Sequence, residues 1–269
     1  MYNIPVLTIR AGIAALMTIG WAAFMGYFIH QYPYPHVFHQ DVNSPVIALE
    51  LSRNAGDIDA VLHRSQGTGR NNPAVDSMTT VNWLDLVFIP LYTFAIWSFA
   101  RVFSMQTRWL TISVLGTALF GYLEDVQIFR ALNGRNPPIF IPSLVKWGLL
   151  AIAFILLGRI LLRSNAPVYS LSTKRLLAIG YLISAAVILL DVAFGQWIGY
   201  SHIALGVTIF PVLLVVNVVG FLGPYFAIPG IKQEYVENFC EERKKFGNKL
   251  AVKSARLPAR PQPKPPVGF

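Results

Sequence analysis

A chain of 269 residues with 54% hydrophobic and 13% charged side chains has too little polar surface to cover a soluble globule, since soluble domains carry about 25% charged residues. With a mean hydropathy of +0.51 and one cysteine, Cys240, the composition also excludes a disordered chain, a disulfide-framed secreted module and a coiled coil. The net charge of +9 does not call for a nucleic-acid partner, because the basic residues sit where membrane topology places them.

Six apolar runs, at 11–29, 83–100, 109–129, 143–162, 176–198 and 203–228, are long enough to cross a membrane. Each covers about 30 Å of hydrocarbon at about 1.5 Å per residue. The expected fold is all-α: a polytopic, six-helix transmembrane bundle over 1–230 with a basic, Pro-rich cytoplasmic tail over 231–269. On one side of the bundle lie sixteen Lys and Arg residues, nine of them in the tail, against five on the other. The positive-inside rule therefore places both termini in the cytoplasm. Trp83, Trp97, Trp109, Trp147 and Trp197 fall near span ends, where an aromatic belt is expected. The first run is longer than a signal-peptide core and is read as a retained anchor. The absence of an N-x-[ST] sequon favours a bacterial inner membrane.

Residues 30–82 form the one sizeable outer loop. His30-Gln31-Tyr32-Pro33-Tyr34-Pro35-His36 breaks the first helix with two prolines. Ser44-Pro45 predicts a helix start, and Asp57 predicts a second cap before Ile58, Val61 and Leu62, which share a face. The loop thus reads as two short helices lying on the membrane surface. The polar stretch Gln66 to Pro73 reads as a connector, and its lone Gly67-x-Gly69 is no nucleotide motif. In the tail, Lys232 to Lys249 has the composition of an interfacial helix that anionic lipid would attract. From Leu257 onward the prolines favour an extended end. Cys240, alone in the cytoplasm, is expected to be a reduced thiol.

Five ionisable residues fall inside spans: Asp85, Glu124, Asp125, Lys146 and Asp191. Such groups are costly in hydrocarbon, so they are expected to face the bundle interior, a partner or water. All five lie in the outer leaflet on this topology, where they would either line one polar pocket opening outward or serve the fold, Lys146 pairing with one or two carboxylates and the rest hydrating at the interface. Helical spacing adds Tyr92, seven residues after Asp85, and Tyr122, three before Asp125. Glu124 and Asp125 point about 100° apart and are expected to serve different surfaces. Tyr181, Ser184 and Asp191 form a polar stripe on the fifth span. In the sixth, Asn217 is a lone amide and Pro211 a kink. A second constellation, His30, His36 and His39 with Asp41, has metal-ligand chemistry. It lies on a proline-broken segment, and no metal or other cofactor is assigned.

The order Ile47-Ala48-Leu49-Glu50-Leu51-Ser52, Leu84-Asp85 to Leu91-Tyr92, Gly121-Tyr122-Leu123-Glu124-Asp125 and Lys146-Trp147 resembles that of small bacterial membrane proteins. Their shared features are a span-start acid, a second-span tyrosine, an acidic pair and a span-start lysine. The likeness covers about the first 160 residues, names no family and implies no activity. The function expected from the residues is a binding or transport-type membrane protein. In it the lysine holds a carboxylate or other anion, and a surplus acid carries a cation or proton. The alternatives are a membrane enzyme acting on a lipid-like substrate and a scaffold subunit of a membrane complex.

Overall fold

The computed structural model describes residues 4–32, 44–64, 72–104, 107–164, 169–198, 209–210, 212–216, 218 and 221–222. Among the described residues seven helices run in chain order: α1 Ile4–His30, α2 Pro45–Glu50, α3 Ala55–Leu62, α4 Pro73–Phe103, α5 Arg108–Leu132, α6 Phe140–Arg163 and α7 Leu171–Ile198. No strand occurs among the described residues. Five of the helices, α1 and α4 to α7, are long and apolar enough to cross a membrane. The sixth predicted span falls mostly outside the described residues, as do Pro211, Asn217, His202, the Gly67–Gly69 stretch, Cys240 and the whole tail. Its described pieces are helical and meet the bundle at two small residues: Leu222 lies against Gly12 of α1, and Leu213 against Gly180 of α7.

The long helices pack in series, α1 along α4, α4 along α5, α5 along α6 and α6 along α7. The connections 104–107, 133–139 and 164–170 are short, which makes sequential neighbours antiparallel. Small residues set the closest approach. A Cβ on Gly158 would stand 3.2 Å from the Ala178 carbonyl oxygen, so α6 and α7 touch nearly backbone to backbone. The turn after α5 closes through Gly134 at φ +81, with the Arg135 N–H bonded to the Arg130 carbonyl at 3.0 Å and that of Gly134 to Ala131 at 2.9 Å. Leu115, Leu119, Leu176 and Ile179 remain exposed on the outside, as a lipid-facing surface requires.

α4 starts ten residues ahead of the apolar run that predicted it. Asn72 caps it by accepting the N–H groups of Ala74 and Val75, and Pro73 sits at its first position. Ala74, Met78 and Val81 are buried along this extension, and α3 packs against the helix. Amphipathic packing, to which a hydropathy window is blind, therefore extends the helix. Inside α4, Pro90 has no N–H for the Leu86 carbonyl. The Tyr122 hydroxyl of α5 donates to that carbonyl instead, at 3.3 Å. The Trp21 indole of α1 donates to the Leu84 carbonyl at 2.9 Å.

The outer loop differs from expectation in two respects. The cap of α3 is Asn54, whose side chain accepts the Asp57 N–H at 3.0 Å, and Asp57 itself sits in the first turn, accepting the Arg53 N–H at 2.9 Å. Ile58, Val61 and Leu62 do share the buried face. α2, in turn, is no surface helix: Pro45, Ile47, Ala48, Leu49 and Glu50 are all buried, and Leu51 after it is fully so. Four apolar residues around one acid leave α2 no face that water would favour, so it inserts against the bundle.

Candidate functional site

Three helix ends meet under α2: the N-terminal third of α4, the C-terminal third of α5 and the first turns of α6. On α6, Ser143, Lys146 and Trp147 stand at i, i+3 and i+4 and share one inward face. Lys146 is 6% exposed and bonds two carboxylates: Glu124 of α5, and Glu50 of α2 at 3.0 Å. Trp147 donates its indole N–H to the other oxygen of Glu50 at 3.0 Å. Ser143 donates its hydroxyl to Glu124 Oε1 at 2.5 Å. Glu50 and Glu124, 5% and 0% exposed, are thus each held by a cation and a second donor. A buried carboxylate needs such partners to be tolerated at all.

Gly121 makes the crossing possible. A Cβ there would come within 3.0 Å of Ile89 and 3.7 Å of the Lys146 stem. Its missing side chain leaves room for α4 and α6 to converge on α5.

Asp125 turns the other way, toward α4. Its backbone carbonyl accepts the Asn82 side-chain amide at 3.2 Å. Its carboxylate is 1% exposed, and neither oxygen has a hydrogen-bond donor among the described residues. The Asp85 carboxyl, half-buried on α4, is its nearest acidic neighbour on that helix. Tyr92, buried two turns deeper on the same face of α4, completes the group. Its strongest electrostatic neighbours are Lys146, Asp85, Glu124 and Glu50. Lys146 is the one cation among the strongest electrostatic neighbours of Asp85, Glu124 and Asp125.

Of the residues singled out in the sequence, the structure therefore assembles Asp85, Tyr92, Glu124, Asp125 and Lys146. The acidic pair does serve two surfaces, Glu124 facing α2 and α6 and Asp125 facing α4. Tyr122 stands at the rim, 38% exposed, with its hydroxyl on Leu86. Asp191 is fully buried on α7 with Tyr181 and Ser184, whereas the strongest neighbours of the Lys146 group come from α2, α4, α5 and α6. His30 closes α1, and His36, His39 and Asp41 lie outside the described residues. No group of three metal-ligating side chains occurs among the described residues.

Sequence reasoning missed Glu50, Asn82 and Ser143, and it placed Trp147 at a lipid interface where the structure buries it against Glu50. The signal for Glu50 was present: it is the only charge in an apolar run, Val46 to Leu51, that is too short to cross a membrane. No protein-family model matches the sequence, and neither a curated protein nor a solved structure matches it.

Proposed function

We propose that the chain is a multi-pass membrane protein of the binding or transport type, whose ion-handling group is the Asp85–Asp125 pair. The observation that carries this reading is the surplus of acid. Four carboxyl groups cluster about one ammonium, and the two that the ammonium does not bond directly stand side by side. A hydrogen bond between two carboxyl groups needs a proton on one of them, and a pair of carboxylates needs a cation between them. Asp85 is half-buried and Asp125 fully buried, so a proton or small monovalent cation would enter at the first and pass to the second. On the positive-inside count this end of the bundle faces away from the cytoplasm. Lys146 has its carboxylate partners within the chain, so an incoming anion finds it occupied. Glu50, Lys146 and Glu124 form a brace that ties α5, which carries Asp125, to α2 and α6.

The test is flux through purified protein in liposomes loaded with a pH-sensitive dye, with valinomycin and potassium to relieve charge build-up. Wild type is expected to dissipate an imposed pH or sodium gradient faster than empty liposomes. Asp125→Asn is expected to abolish that difference without lowering the melting temperature, because it removes a buried acid that Lys146 does not bond. Flux from Asp125→Asn equal to wild type, or wild-type flux equal to that of empty liposomes, would overturn the proposal.

A further inference from the structure

At the opposite end of the bundle, where α4 ends, α5 begins and α6 ends, lies a cavity of about 500 Å³. Among the described residues its charged lining is basic: Arg159 and Arg163 line it from α6, joined by Ser104 and Ser164. The remaining wall is apolar, with Leu110, Leu156 and Ile160 among its residues and Trp109 at the mouth. The two arginines are four residues apart and so project from the same side of α6. Both are exposed, and neither forms a salt bridge among the described residues. Trp109 is 69% exposed beside them, where an indole ring would meet headgroups rather than water alone.

The rim of the cavity is fixed. The Ser164 hydroxyl donates to the Phe103 carbonyl at 3.0 Å, and Lys174 donates to the Ser164 carbonyl at 3.2 Å. These bonds tie the end of α6 to the end of α4 and to the start of α7. Phe103 and Leu110, which also line the cavity, are buried.

We infer that this cavity is a binding site for one anionic phospholipid. Arg159 and Arg163 hold the phosphate, and the acyl chains run along Leu156, Ile160 and the lipid-facing wall of α6. Charge complementarity supplies the argument: paired guanidinium groups match phosphate oxygens, and an apolar wall beside them matches a lipid rather than a soluble anion. Basic pockets between transmembrane helices hold acidic headgroups for the same reason. The site is separate from the acid cluster. Leu110 and Glu124 are fourteen residues apart on α5, about 21 Å along the helix.

The experiment is native mass spectrometry and thermal melting of the full-length protein in mild detergent, titrated with phosphatidylglycerol, phosphatidylcholine or inorganic phosphate. Wild type is expected to retain one phosphatidylglycerol in preference to phosphatidylcholine and to melt higher with it. Arg159→Gln/Arg163→Gln is expected to bind it about 25-fold more weakly, about fivefold per arginine, while melting like wild type without lipid. Neutralising the tail at Lys244→Gln/Lys245→Gln is the control for loose attraction and is expected to leave the retained lipid in place. Three results would overturn the proposal: retention unchanged in the double arginine variant, retention lost in the tail variant alone, or inorganic phosphate giving the same stabilisation as the lipid.

Discussion

At the end of the bundle that carries α2, one buried ammonium bonds two buried carboxylates, with Asp85 and Asp125 close by. At the other end, two guanidinium groups stand exposed with no carboxylate bonded to them among the described residues. The difference is one of solvation. Glu50, Glu124 and Lys146 have given up water, so each must find its counter-charge inside the chain, and every bond among them crosses between helices. Arg159 and Arg163 keep water or headgroups around them and need no internal partner. Burial therefore turns the same kind of charged side chain into part of the fold at one end and leaves it available to a ligand at the other. The acid end itself divides again, into a brace whose charges are matched and a carboxyl pair whose charges are not.

That contrast is broken most severely at Lys146. Lys146→Met leaves Glu50 and Glu124 buried without a cation, at a cost of about 3–5 kcal/mol. Adding Glu50→Gln and Glu124→Gln should recover most of the loss, because a neutral, hydrogen-bonded set is tolerable where two bare carboxylates are not. Melting curves of the single and triple variants in one detergent decide it. A single variant that melts with wild type would show that the brace contributes nothing to the fold.

Glu50→Gln comes next. Lys146 keeps Glu124, and Trp147 keeps an acceptor, so the loss is that of one charge-assisted bond, about 1.5–3 kcal/mol. The effect should be local, since Glu50 is the charged tether of α2. Hydrogen exchange at the Ala48 and Leu51 amides, which close α2 through Ser44 and Ile47, is expected to rise while amides in α6 stay protected. Uniform exchange across the bundle would mean that α2 is held by its apolar contacts alone.

Tyr122→Phe probes the rim at a smaller scale. It removes the donor that serves the carbonyl freed by Pro90, at about 0.6 kcal/mol, the average for hydrogen bonds between transmembrane helices. In a Pro90→Ala background the new N–H takes the Leu86 carbonyl, and the same tyrosine change should then cost nothing. A double-mutant cycle with no coupling between the two positions would remove the proline from the explanation.

How far these features were legible in the sequence follows from the range of the interactions behind them. The spans of α5, α6 and α7 were readable to within a few residues, because hydropathy averages over a helix surface and lipid acts on that average. The start of α4 was not, because it rests on Ala74, Met78 and Val81 packing beyond the membrane run. Within the site, Asp85, Glu124, Asp125 and Lys146 announced themselves as charges in apolar surroundings, and their grouping followed from antiparallel order. Glu50 escaped because its partners, Lys146 and Trp147, lie nearly a hundred residues away. No local pattern carries so distant a contact. Trp147 was misread for the converse reason: a tryptophan at a span end satisfies the belt rule, and only the arrival of α2 buries it. The Asp57 assignment failed by one turn, since Asn and Asp are both good caps and backbone geometry chooses between them.

The least disruptive change is the one that completes the comparison. Arg159 and Arg163 are exposed and bonded to no carboxylate among the described residues, so Arg159→Gln/Arg163→Gln should leave the lipid-free melting temperature where wild type has it. Lys146→Met also deletes basic charge, and it should lower that temperature by the largest amount of any variant considered. The two outcomes together are what a solvation argument demands, because both variants remove basic charge and only the buried one leaves carboxylates without a partner. A lipid-free loss of stability in the arginine variant comparable to that of Lys146→Met would show that the basic end is part of the fold as well. The contrast would then rest on which charges lie close together rather than on which have been taken out of water.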